Sequence, residues 1–343
     1  MAVHVRGNEY DLLMSNDLND RSANSNTTQW FHFAIWNAQP GVTYKLNLVN
    51  FSKPASLFGD LQQQLASLML HCSLRLPPGQ PSPVVRSLLC YTLTGQRCDM
   101  LTITDFAASA TEQSSREYVV ITARVHPGET CASWIAQGAV DFLVSDDPLA
   151  QRLRRCFVFK LVPMLNPDGV VAGNYRSSLA GVDLNRCWDN AIQQLHPTIF
   201  HARKLLEALV DAGHLALTID IHGHSSALDA FFYGCEPLLA HPGYSLSRCH
   251  FKVQKSKAGT VRVVAARQLG VPGAYTLEAS LAGCSTTQCH FTVRDYLQLG
   301  QCLMQAVGRL AESDDQQLLA VMAGRLAMPA MPGHPGSGNM PAS

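Results

Sequence analysis

Apolar and polar residues alternate along two stretches near the amino terminus, TTQWFHFAIWN (27–37) and GVTYKLNLVNF (41–51). Such alternation is typical of half-buried strands, and the turn-forming residues between them predict a hairpin. We therefore expect a small all-β, sandwich-like domain over residues 1–58. Residues 59–83 are predicted to be a linker, in which LFGDLQQQLASLML supplies a short helix and LPPGQPSP a proline-rich loop.

From about residue 84 the pattern changes to apolar runs that alternate with amphipathic segments. This order predicts an α/β domain over 84–326, with a mixed, mostly parallel sheet and helices on both faces. Helices are predicted from about 129 to 145 and over HPTIFHARKLLEALVDAG, and a disordered Pro/Gly/Ser-rich tail over 327–343. The predicted strands are SLLCYTLTG, DMLTITDF, YVVITARV, CFVFKLVPML, LALTIDIHGH, FKVQKSKAGTVRVV and GAYTLEAS.

Composition narrows the classes of partner. The 26 basic and 26 acidic residues cancel, so no field of the whole chain attracts nucleic acid or an anionic membrane. Charged residues interrupt the first twenty positions, and no apolar run approaches the roughly 18 residues of a membrane span. The eleven cysteines are scattered and never spaced CxxC. We therefore expect a cytosolic protein with reduced, mostly buried cysteines.

Candidate metal ligands follow two predicted strands. ARVHPGET places His126 and Glu129 three residues apart in a tight turn, and TIDIHGHS offers His222 or His224 as a third ligand. Two imidazoles, one carboxylate and an open position describe a catalytic zinc site. Taken alone, the HxxE spacing is a weak signal, and a lone histidine at a strand end is more often a hydrogen-bonded structural residue.

A second polar cluster lies in NPDGVVAGNYRSSLAGVDLNRCW, residues 166–188. Arg176 and Arg186 stand there among small turn-forming residues, with Asp183 and Asn185 nearby. Because a protein core does not accept unpaired guanidinium groups, the cluster indicates either an anion-binding site or a solvated loop.

The order HPGE, NPDG with GNYR, DLNR, DIHGHS and YTLEAS resembles the M14 family of zinc metallocarboxypeptidases over about residues 84–310. In particular it is similar to the cytosolic carboxypeptidase branch, which includes tubulin deglutamylases. The opening segment, EYDLL to GVTYKLNLVNFSKP, resembles the amino-terminal β-domain of that branch, although it is shorter here.

The resemblance implies one Zn²⁺ ion per chain and a role for each matching residue. Glu278 of YTLEAS would be the general base, and Arg176 would polarise the scissile carbonyl. Asn185 and Arg186 would bind the terminal carboxylate of the substrate, while Asp183 would accept the outer N–H of the first histidine. The implied zinc ligands are His126, Glu129 and His222.

Substrate preference is expected to depend on SKAGTVRVV, where Arg262 would bind the side chain of the substrate's C-terminal residue and Lys257 would assist. A positive pocket favours glutamate or aspartate, although alternating basic residues also occur on the solvent face of a strand. The resemblance implies removal of glutamate from tubulin tails or polyglutamate side chains, by a cytosolic enzyme associated with microtubules or cilia. The alternatives are a zinc amidohydrolase that acts on small N-acyl amino acids and a non-catalytic receptor for peptide tails.

Overall fold

The computed structural model describes residues 2–6, 9–12, 17–19, 45–48, 82–235, 250, 252–271 and 273–312. The predicted strand TTQWFHFAIWN, the predicted helix LFGDLQQQLASLML, most of the loop LPPGQPSP and the tail 327–343 lie outside these ranges. The domain boundaries at 58 and 326 also fall there and stay predictions.

The described amino-terminal residues contain a three-stranded sheet. Strand β1 (Ala2–Arg6) pairs antiparallel with β2 (Glu9–Leu12), and β2 pairs parallel with β3 (Lys45–Leu48). The third strand lies within the stretch GVTYKLNLVNF, where the alternation of apolar and polar residues predicts a strand.

A mixed seven-stranded sheet forms the centre of the larger unit. Its strand order is β4-β5-β7-β6-β8-β10-β9, and the four neighbours β7, β6, β8 and β10 run parallel. The outer strands β4, β5 and β9 pair antiparallel. The strand bounds are Val84–Tyr91 (β4), Arg97–Ile103 (β5), Glu117–Ala123 (β6), Phe157–Val162 (β7), Leu215–His224 (β8), Ala230–Gly234 (β9) and Gly273–Ser280 (β10).

Helices cover both faces of this sheet, as the alternating pattern predicts. Helices α2, α3 and α7 pack together on one face, and α5 and α6 contribute to the core on the other. Because both faces are covered, the parallel strands consist of nearly continuous apolar runs. The helix bounds are Ala110–Ser114 (α1), Thr130–Leu143 (α2), Pro148–Cys156 (α3), Pro167–Ala172 (α4), Pro197–Asp211 (α5), Val261–Arg267 (α6) and Val293–Glu312 (α7).

The prediction of a strand over FKVQKSKAGTVRVV is wrong. The structure has a 3₁₀ turn at Lys255–Lys257 followed by helix α6. Valine favours strands, but Val261, Val264 and Ala265 have the i, i+3, i+4 spacing of one helix face. That face is buried against the sheet, and tertiary burial outweighs the local preference.

Helices α2 and α7 touch backbone to backbone. A Cβ atom added to Gly138 of α2 would lie 2.0 Å from the carbonyl oxygen of Leu297, and one added to Gly300 of α7 would lie 2.0 Å from that of Ile135. This contact fixes the position of α2, whose N-cap residue is Glu129. Among the described residues, no helix is long and apolar enough to cross a membrane.

Candidate metal centre and active-site pocket

Three residues converge at the carboxyl edge of the central parallel strands. His126 and Glu129 lie in the turn between β6 and α2, and His222 lies near the end of β8, the neighbour of β6. His126 Nδ1 is 2.7 Å from Glu129 Oε1, and His222 Nδ1 is 3.0 Å from Glu129 Oε2. The two Nδ1 atoms are 3.2 Å apart, and all three side chains are buried.

Two further carboxylates set the tautomers of these histidines. His126 Nε2 lies 3.0 Å from Asp183 Oδ1, and His222 Nε2 lies 2.5 Å from Asp220 Oδ2. A carboxylate only accepts hydrogen bonds, so each Nε2 carries a proton, and a metal ion would bind each imidazole through Nδ1, which faces Glu129. The two Nδ1 atoms and the Glu129 carboxylate therefore surround one position, at which a cation could replace the protons between them.

This donor set fits zinc. Two imidazole nitrogens and one carboxylate oxygen are the ligands of catalytic zinc sites, which keep a fourth position open. Ligand atoms of a tetrahedral site with bonds of about 2.0–2.2 Å lie about 3.3 Å apart, close to the separations found here. His126, Glu129 and His222 could therefore hold the ion with little rearrangement.

The electrostatics of the cluster favour positive charge. Burial by itself would raise the pKa of Glu129, but His126 and His222 hold this pKa well below its usual range. Burial would likewise lower the pKa of His222, whereas Asp220 and Glu129 raise it well above its ordinary value. The raised pKa of His222 shows that Asp220 and Glu129 stabilise positive charge at this position.

Glu278 lies on β10, in register with His222 on β8. Residues directly paired in neighbouring strands point to the same face of a sheet, so both side chains face the cluster. Burial raises the pKa of Glu278 to about 7, with His222 opposing this shift and Glu129 adding to it. A carboxyl group with a pKa near neutrality is suited to both accept and donate a proton.

Arg176 and Asp183 form an ion pair next to the proposed metal ligands, in which two guanidinium nitrogens contact one carboxylate oxygen. Arg176 Nη2 and Nε lie 2.6 Å and 2.9 Å from Asp183 Oδ2, while the other oxygen of Asp183 faces His126. Burial would raise the pKa of Asp183, but His126 and then Arg176 hold it well below its usual range. Asp183 therefore stays ionised and links His126 of the proposed metal site to the guanidinium group of Arg176.

Comparisons with known proteins agree with this geometry. Residues 80–237 match the family model described as zinc carboxypeptidase. Human cytosolic carboxypeptidase 1 is 32% identical over 389 residues, which cover 82% of this chain and 31% of the human protein. The chain belongs to the M14 family of zinc carboxypeptidases. Cytosolic carboxypeptidase 2 of Macaca fascicularis is 31% identical over 94% of this chain and 48% of its own length.

The chain thus spans 31% and 48% of the length of these two family members. The alignment with the human protein is longer than the 343 residues of this chain, so that relative contains segments that are missing here within the matched region. A metallo-carboxypeptidase from Burkholderia cenocepacia superposes with a TM-score of 0.59 at 24% identity, over 68% of this chain and 66% of that one. This likeness shows the zinc carboxypeptidase fold.

The two DLNR residues that the family resemblance assigns to substrate binding differ in their surroundings. Asn185 is buried; its Nδ2 lies 3.1 Å from His222 Nε2, and its Oδ1 accepts from the backbone N–H of Val261. Arg186 is about a third exposed and reaches within 3.7 Å of Asp183 Oδ2. Of the pair, Arg186 is therefore the residue that presents charge to the pocket.

Arg262 projects from α6 into the interior and is 5% exposed. Its Nε and Nη1 atoms are buried without a hydrogen-bond partner among the described residues, and its guanidinium carbon lies 5.2 Å from the ring centre of Tyr233. Burial lowers its pKa, and nearby Glu278 opposes that shift. A buried guanidinium group with unsatisfied donors is suited to bind an anion.

Lys257 adds positive charge to the same pocket. It is half-buried in the 3₁₀ turn before α6, where burial, and then Arg186 and Arg176, lower its pKa. Glu278 opposes the lowering of both pKa values, so Lys257 and Arg262 both lie near Glu278, although the stretch that carries them is helical and not a strand.

The structure brings His222 and not His224 to the cluster. The ring of His224 packs edge-on against Phe231 at 5.3 Å, and its Nδ1 accepts from the N–H of Ser226. Sequence reasoning missed Asp220, although its spacing of two from His222 places both on one face of a strand. It also missed Arg124, a buried residue with φ of 56° that donates to the carbonyl of Pro127 and braces the HPGE turn.

Proposed function

We propose that this chain is a zinc-dependent carboxypeptidase that removes C-terminal acidic residues, above all glutamate, from proteins. The observation that carries the proposal is the buried cluster of His126, Glu129 and His222, with Glu278 in register beside His222. When bound there, zinc would activate a water molecule and polarise the scissile carbonyl. The residues of the chain supply proton transfer, charge stabilisation and recognition.

Glu278 acts as the general base and then as the general acid. It accepts a proton from the attacking water and delivers this proton to the leaving amine. Arg176, held by Asp183, stabilises the negative charge that develops on the carbonyl oxygen. Its ionic tie to Asp183 keeps the guanidinium oriented before substrate binds.

Recognition of a free carboxyl terminus makes the reaction an exopeptidase reaction. Arg186 binds the terminal α-carboxylate, with Asn185 as a secondary contact, because Asn185 Oδ1 already accepts from the backbone N–H of Val261. A guanidinium group pairs with a carboxylate through two parallel hydrogen bonds, which fixes the end of the peptide.

The acidic preference follows from Arg262, assisted by Lys257. The buried, unsatisfied donors of Arg262 gain partners when a glutamate or aspartate side chain enters, whereas an apolar side chain leaves them unpaired. Protein tails rich in glutamate, such as those of tubulin, are the substrates that this chemistry suits. Several relatives are named cytosolic carboxypeptidases. We infer a cytosolic protein that binds microtubules through the acidic tails of tubulin.

The test is a comparison of two peptides with the zinc-loaded protein. One peptide ends in several glutamates and its matched control ends in leucines, and mass spectrometry follows the release of residues. Stepwise loss of glutamate alone, stopped by a chelator and restored by zinc, is the expected result. Equal processing of both peptides would contradict the acidic preference, and zinc binding without any release would instead indicate a receptor for peptide tails.

A further inference from the structure

Asp17 reaches from the amino-terminal segment into the loop that carries Arg176. The Asp17 side chain is 5% exposed, and its two oxygens accept three consecutive backbone N–H groups. Tyr175 N lies 2.6 Å from Oδ1, and the amide nitrogens of Arg176 and Ser177 each lie 2.7 Å from Oδ2. Three successive amides that converge on one carboxylate form an anion nest, here filled by the chain itself.

Neighbouring contacts show that the whole segment Asp17–Asn19 docks on this loop. The N–H of Leu18 donates to Asn174 Oδ1 at 2.8 Å, and Asn19 Nδ2 donates to the carbonyl of Leu179 at 2.6 Å. A Cβ atom added to Gly181, which has φ of +72°, would lie 2.3 Å from the carbonyl oxygen of Asn19. The close backbone approach therefore depends on the absence of a side chain at position 181.

The docked loop is tied to the metal centre at two points. The carbonyl of Tyr175 accepts the N–H of Gly128, in the turn between His126 and Glu129, at 2.7 Å. The side chain of Arg176 pairs with Asp183, which also faces His126. A shift of the three amides would therefore move both the proposed oxyanion-stabilising guanidinium and the turn that holds two proposed metal ligands.

We propose that Asp17 is a positioning residue for the active site: its carboxylate holds the turn at 175–177 in the conformation that orients Arg176. The kinetic part of this inference rests on the proposed carboxypeptidase function. If Asp17 is removed, three buried N–H groups lose their acceptor, so the turn relaxes to find other partners. Misplacement of a charge-stabilising group by about 1 Å is enough to cost roughly 100-fold in rate.

Kinetics on the full chain test the proposal. Asp17→Ala should lower kcat on a polyglutamate peptide about 10- to 100-fold while KM changes less than about threefold, because Arg176 acts on charge that develops in the transition state. Asp17→Asn keeps one acceptor oxygen and should recover part of the loss. Asn19→Gly removes an exposed side-chain bond of the same segment and accommodates its φ of 65°, so this matched control should stay within about twofold of the parent.

Hydrogen exchange gives a readout that does not need activity. The amides of residues 175–177 should exchange faster in Asp17→Ala than in the parent, with helix α2 unchanged. If the parent protein has no peptidase activity, the proposed function is wrong. The exchange experiment still tests whether Asp17 holds the amides of residues 175–177. Parent-like exchange at these amides, or a parent-like kcat in an active Asp17→Ala protein, would overturn the positioning role.

Discussion

Glu278 and His222 lie directly opposite each other on the neighbouring parallel strands β10 and β8. This pairing places a carboxyl group of raised pKa beside an imidazole whose Nδ1 faces the proposed metal ligand Glu129. A shift of one residue in the register would turn one of the two side chains to the other face of the sheet. The pairing of β8 with β10 is therefore what joins the proposed base to the proposed metal site.

We expect Glu278→Gln to abolish turnover while metal and peptide still bind. Glutamine keeps the size of the side chain but takes up no proton, and loss of a general acid–base group costs roughly 100- to 10,000-fold in rate. Peptide release by mass spectrometry, zinc content by elemental analysis and peptide binding by calorimetry measure the three properties. A variant with parent turnover would show that another group moves the proton.

Replacement of Asp220 by asparagine should weaken zinc binding. Asp220 is fully buried, accepts from Thr122 Oγ1 at 2.6 Å and faces His222 Nε2. Loss of the charge removes the group that sets the histidine tautomer, and such changes typically lower metal affinity about 10- to 100-fold. Competition with a chelator measures the affinity, and the exposed Asp211→Asn on α5 serves as the control with parent-like binding.

Arg262→Gln should reduce the preference for glutamate over leucine at the end of a peptide. A hydrogen bond to a charged group contributes about 1.5–3 kcal/mol, so the ratio of kcat/KM values should fall roughly 10- to 100-fold. Arg267→Gln, an exposed change in the same helix, should leave this ratio unaltered. An unchanged ratio in Arg262→Gln would assign the selectivity to another residue of the pocket.

Gly138→Ala should destabilise the protein by about 1–3 kcal/mol, because the added methyl group would overlap the backbone of Leu297. The direction of the change in stability is informative, because the same glycine-to-alanine substitution in an unobstructed helix stabilises a protein by roughly 0.5–1 kcal/mol. Gly308→Ala is the matched control, because the three atoms nearest to its added Cβ belong to the movable side chain of Leu149 and not to a backbone. Urea unfolding compares the two variants, and equal stability of Gly138→Ala and the parent would show that the helices separate easily.

The sequence pattern predicted most of the central sheet and two of the helices around it, for reasons that are local. The stretches YVVITARV and CFVFKLVPML are continuous apolar runs, and such runs form strands wherever both faces are covered. The error at FKVQKSKAGTVRVV arose because valine content outweighed the helical spacing of Val261 and Val264. The sequence pattern did not predict helix α7, which packs closely against α2.

The sequence by itself determined what depends on neighbouring residues: the turn that places His126 beside Glu129, and the apolar runs that become parallel strands. Only the tertiary structure decided which distant groups join that turn. His222 rather than His224 reaches Glu129 because β8 lies next to β6, and Glu278 joins because β10 pairs with β8. Periodicity is encoded over a few residues, whereas strand order and register result from the packing of the whole sheet.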